Sequence, residues 1–349
     1  MTRAAALLTS VLALLGCRSG RTTDPIAVEV TRWSELARTD SSTDEISVEV
    51  RKGSQPVLAG AEQALRDGRR LLALQRMASV RTDLEAARYL REQIAAGHSD
   101  AAGFEAEWVR VGRLLKPQLG QPSPGWLDGV EPAAIRAIGE AALPQVRLYH
   151  EASLDYGRNT MPESGLFYLG AALAQRDLAA MCRRLSASSG DGAPPLRALG
   201  GELDALEEEL LAAYRPPASI DHHAEFIAAS ASLKEARELD AAGLRRGALL
   251  LYLQAALRSA PLRAPSPAGD PRAELRALEQ RLTGPVDHSI GRMFLEMAQA
   301  DLEGEPGAGP AAIARDVLPR YFAALGPAPA PPPASKPRVT VTLVRWPFT

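Results

Sequence analysis

Apolar residues recur at intervals of three and four from about position 55 to about position 325. That spacing lines one face of an α-helix, which turns once in about 3.6 residues. Leu58, Ala61, Leu65, Leu72, Met77, Val80, Leu84, Ala87 and Leu90 predict helix over 56–95, with a break near Gly68. Phe104, Trp108, Val111 and Leu115 share one face of a second helix at 102–115. The Pro- and Gly-dense stretch 118–132 ends it. Ile135, Ile138, Ala142, Val146 and Tyr149 belong to the next, which starts near Pro132 and should kink at Pro144. Further helices are predicted at 162–185, 195–214, 217–241, 244–259, 271–282, 285–303 and 310–325. Pro216-Pro217, Ala260-Pro261 and Gly284-Pro285 separate the later ones. The linker 186–195 is a point at which the helical domain 55–325 could subdivide. Short connections imply antiparallel hairpins, so the predicted class is all-α.

Two segments break this rhythm. Ile26 to Trp33 alternates and is rich in β-branched residues, so 17–54 reads as a tether holding a short strand. At the other end, 326–338 is a Pro/Ala-rich linker suited to a stiff extended spacer. Val339, Val341 and Leu343 then alternate with Thr340, Thr342 and Val344, predicting a C-terminal β-strand within 339–349. A lone strand is unstable in water and needs a partner, either 26–33 or another protein.

Residues 1–16 join Arg3 to a short apolar run, too short to span a bilayer but suited to an export signal. Leu14-Leu15-Gly16-Cys17 resembles the lipobox of bacterial lipoproteins. The resemblance implies cleavage before Cys17, acylation of that residue and attachment to a lipid membrane of the cell envelope. Arg18 stands where an inner-membrane lipoprotein tends to carry Asp, which implies the outer membrane, facing the periplasm.

Ala236, Gly243, Ala248, Tyr252 and Ala255 are spaced as in a tetratricopeptide repeat, and Ala61, Gly68, Ala73 and Met77 repeat part of the pattern. Small residues let two helices approach, and glycine permits the turn between them. The region resembles a degenerate TPR-like array, implying an α-solenoid; an irregular helical bundle is the alternative.

Composition then narrows the chemistry. With 46% hydrophobic residues the chain is too apolar for overall disorder, and a net charge of −2 leaves no basic footprint for nucleic acid. Of the two cysteines, acylation of Cys17 would leave Cys182 alone and an intrachain disulfide impossible. Cys182 reads as a small core hydrophobe. The chain contains no HExxH, Walker, GxSxG or CxxC motif, so no catalytic residue and no cofactor is assigned. His222, His223 and Glu225 are the densest ionisable group. His222 and Glu225 are three apart and could share a metal, or lie on a solvated first helical turn. Tyr149, His150 and Glu151, with Tyr156 and Arg158, form the one polar-aromatic stretch suited to a pocket.

The expected function is a membrane-anchored module that binds a partner protein. An enzyme, or a small-ligand or metal binder with its site inside the helices, is the alternative. Cys17→Ser is expected to abolish incorporation of labelled fatty acid and partitioning into detergent; retained membrane association would refute the anchor.

Overall fold

The computed structural model describes residues 24–120, 127, 129–130, 132–186, 196–217, 219–263, 270–283, 286–304 and 309–326. Cys17 and the expected strand at 339–349 lie outside them. All regular structure among the described residues is helical. The helices are α1 (Pro25–Thr39), α2 (Glu45–Arg66), α3 (Arg70–Ala95), α4 (Ala101–Leu119), α5 (Ala133–Asn159), α6 (Pro162–Leu185) and α7 (Gly200–Ala213). They continue with α8 (His223–Ala241), α9 (Arg245–Ser259), α10 (Pro271–Arg281), α11 (Ser289–Leu302), α12 (Pro310–Ala312) and α13 (Leu318–Leu325). A π-helical turn, Ile313–Val317, joins the last two.

The expected strand at 26–33 is instead the first half of α1, and helical structure begins at Pro25 rather than near 55. The Asp24 carboxylate accepts the Ile26 N–H, and Pro25 occupies the first turn, where its missing N–H costs nothing. Ile26, Val30, Trp33 and Ala37 are buried, at intervals of four, three and four. That helical period buries one face, whereas a strand would split the same residues between two faces.

Glycine sets two of the three-residue turns. Gly68 between α2 and α3 has φ of +77°, and Gly243 between α8 and α9 has φ of +78°. A side chain at either position would be strained. α5 continues through Pro144 as one element.

One hydrophobic core runs from Ile26 on α1 to Ala324 on α13 and joins residues on both sides of 186–195. A smaller cluster forms where α4 covers α3, α5 and α6, around Phe104, Val111, Leu115 and Leu166. α5 and α6 pack most extensively of all.

α5 also meets the start of α9 through a buried polar contact. The Glu140 carboxylate is fully buried, accepting from Arg136 Nε at 2.6 Å and from the Gly247 N–H at 2.7 Å. Gly247 lies in the first turn of α9, where free N–H groups and the helix dipole favour an anion. A Cβ at Gly247 would sit 2.6 Å from the Glu140 Cβ and 3.0 Å from the Ala141 nitrogen. Neither atom can move without moving α5. Gly247→Ala is therefore expected to destabilise by about 1–3 kcal/mol, as overpacking does. Gly53→Ala, inside α2 with nothing within 4 Å, is expected to stabilise by about 0.5–1 kcal/mol. Urea denaturation of both variants checks the contrast.

Candidate functional site

Below the Glu140–Gly247 contact, the faces of α3, α5, α6, α8 and α9 converge on an open groove of about 350 Å³. Its walls are cut back by alanines, notably Ala78, Ala141, Ala142, Ala228 and Ala231. Small side chains on facing helices leave concave space that larger ones would fill. Ile138, Leu178, Leu250 and Leu251 supply an apolar floor. Four glutamines, Gln75, Gln145, Gln175 and Gln254, enter from four different helices. Each amide carries both donors and an acceptor. Two are partly engaged: Gln175 Nε2 donates to Thr82 Oγ1 at 3.0 Å, and Gln145 hydrogen-bonds Glu235.

Charge is distributed unevenly along the groove. Arg258 lines one part and is held by Ser232 Oγ at 2.5 Å. Glu235 is half-buried on α8, and burial holds its carboxyl above the usual carboxylate range despite the Gln145 hydrogen bond and the nearby Arg258. Helical periodicity extends this surface beyond the lining residues. Tyr149 lies one turn past Gln145 on α5, and Asp83 one turn past Ser79 on α3. Tyr168 lies two turns before Gln175 on α6. The ring centroids of Tyr149 and Tyr168 are 6.1 Å apart, and Tyr156 stacks on Tyr168 at 4.6 Å. Burial, then the charges of Asp83 and Glu235, push the Tyr149 hydroxyl up to about 12, so it remains a donor.

Asp83 is the unusual member. It is open to solvent on one side, yet the surrounding concave surface displaces enough water to raise its carboxyl. Among the described residues it has neither a hydrogen-bond partner nor an ion-pair partner. Tyr149 and Tyr168 both feel its charge.

The residues expected from sequence separate. Tyr149 and Tyr156 join the aromatic cluster beside the groove. His150 turns to α4 instead, stacking on Trp108 at 5.0 Å, and burial lowers its pKa. Arg158 pairs with Glu105 at 2.6 Å, and Glu151 lies 4.0 Å from Arg147. His222 Nδ1 lies 3.9 Å from Glu225 Oε1, whereas His223 Nδ1 is 2.8 Å from the Tyr214 hydroxyl. The two histidines thus point to different partners, and no group of three or more metal-ligating side chains occurs among the described residues. Cys182 is fully buried, and desolvation pushes its thiol up to about 12. A Cβ at Gly139 would approach the Cys182 Cβ to 3.0 Å, so Cys182 packs closely against α5 at that glycine. Cys17 lies outside the described residues.

In the sequence, Asp83, Glu235 and the glutamines each look like an ordinary solvated helix position. The available signal was Gln75, Ser79, Thr82 and Asp83, a polar stripe at helical spacing on α3, a helix that is otherwise mostly apolar on its inner faces. No family model, no curated protein and no solved structure matches the chain.

The raised Asp83 carboxyl has a consequence for stability. The folded chain holds this proton to higher pH than the unfolded chain, so stability falls as pH rises from the unfolded value toward the folded one. The cost is present wherever the pH lies above the raised folded value. Asp83→Asn is therefore expected to leave stability unchanged or raise it at pH 7, with any gain vanishing as the pH approaches about 3.9. Urea midpoints at both pH values test this; destabilisation at pH 7 would show that Asp83 has a structural partner.

Proposed function

We propose that this protein is a lipid-anchored helical module of a bacterial cell envelope that holds an extended polypeptide segment of a partner in the five-helix groove. The observation that carries the reading is the set of four glutamine amides facing one open, alanine-walled groove. Amides offer paired donors and acceptors that suit the backbone N–H and C=O groups of an extended chain. Alanine walls let that backbone approach closely. The lipobox-like Leu14-Leu15-Gly16-Cys17 supports the anchor, and Arg18 favours the outer membrane. The α2–α3 and α8–α9 pairs, each turned by a left-handed glycine, support a TPR-like ancestry for the peptide-holding surface.

Ala231 lies on the exposed rim of the α8 wall, so a larger residue there fills the groove without entering the core. Ala231→Trp is expected to retain the wild-type melting temperature and to lose the partner recovered from solubilised envelopes by cross-linking to the wild-type protein. Equal recovery by wild type and variant would refute the groove as the binding surface.

A further inference from the structure

Beside the tyrosine-flanked end of the groove lies the Asp83 carboxylate, which has no cation partner among the described residues. Asp83, one turn past the groove residue Ser79 on α3, lies close enough for its charge to reach both Tyr149 and Tyr168, and the charge of Glu235 reaches Tyr149 as well. A guanidinium suits these surroundings: its edge donates two hydrogen bonds to a carboxylate while its flat face stacks on an aromatic ring. An ammonium ion would make the charge contact but not the stacked one.

The chain itself carries a suitable group. Residues 327–349 contain Lys336, Arg338 and Arg345 and no Asp or Glu. The segment begins within reach of the groove. Arg197 Nε donates to the Gly326 carbonyl at 3.0 Å, and two residues on, the Leu199 N–H donates to Asp240 on α8 at 3.0 Å. Asp240 is five residues from Glu235 on the same helix, a rise of about 7.5 Å. From Gly326 to Arg338 is twelve residues, mostly Pro and Ala, which span about 37 Å as an extended polyproline helix. The spacer is therefore long enough for this path. The alternating residues 339–344 that follow have backbone groups to satisfy, and no strand exists among the described residues to pair with them. The glutamine amides of the groove offer those hydrogen bonds.

We propose that, without a partner, the groove is occupied by this chain's own basic C-terminal segment, with Arg338 seated between Asp83 and the Tyr149–Tyr168 rings. The inference rests on reading the groove as a polypeptide site, and it adds that a partner must displace the tail to enter.

A cross-link in the full chain tests it. Ser79 is exposed on the α3 wall, so Ser79→Cys and Thr340→Cys are introduced together in a Cys17→Ser background, where the sealed Cys182 is the only other thiol. Mild oxidation is expected to give an intramolecular disulfide whose yield does not depend on protein concentration. Asp83→Arg should lower its rate at least fivefold, Asp83→Asn should lower it less, and Asp83→Arg with Arg338→Asp should restore it. A synthetic peptide of residues 336–349, added in excess, should suppress it. Absence of the cross-link, a rate insensitive to both Asp83 variants, or concentration-dependent dimers would each overturn the proposal. If the cross-link fails while Ala231→Trp still loses the partner, the tail proposal falls and the groove reading stands. If the cross-link forms while Ala231→Trp retains the partner, the groove reading falls and the tail contact stands.

Discussion

The spacing of the helices around the groove depends on one buried carboxylate. Glu140 has no contact with solvent, and both its oxygens are engaged, one by Arg136 on its own helix and one by the Gly247 N–H at the start of α9. A buried carboxylate left without such partners would be costly, so the contact holds α9 at a single height and distance against α5. Glycine at 247 is what lets the backbones come this close. Directly after Glu140, Ala141 and Ala142 on α5 form wall, and one turn past Gly247, Leu250 and Leu251 on α9 form floor of the open groove. The polar tie and the cavity are built from adjoining residues of the same two helices.

A second polar anchor holds the opposite wall. Arg81 on α3 is buried; it donates to the Ala174 carbonyl of α6 at 3.1 Å and to Glu85 at 2.6 Å, and its guanidinium lies 5.1 Å from the Trp33 ring centroid. α1, α3 and α6 are thereby joined at one residue. The groove's α3 and α6 faces thus belong to a braced unit, as its α5 and α9 faces do.

Much of this fold is legible in the sequence. The breaks at Gly68 and Gly243 and the start at Pro162 are visible because glycine and proline act locally, through φ and a missing N–H. The first fifty residues are less so. Ile26 to Trp33 satisfies both a period of two and a helical period, and burial against α2 and α3 decides between them. α2 is obscured differently: its buried face begins with Ser47 and Ser54, which carry no hydrophobic signal. Tyr149 and Tyr156 could be singled out by their spacing. Asp83 is marked only as one member of the polar stripe on α3 and Glu235 not at all, because what distinguishes them from other helix-surface carboxylates is which helices lie opposite, and that is set by contacts between distant parts of the chain.

Cys182 illustrates how burial alone governs reactivity. Burial pushes its thiol up to about 12, which disfavours the thiolate at neutral pH, and the sulfur is shielded from any attacking disulfide. Exchange needs both a thiolate and access, and the folded chain supplies neither. In an oxidising compartment the native protein would thus resist mixed-disulfide formation at Cys182 kinetically, by burial alone.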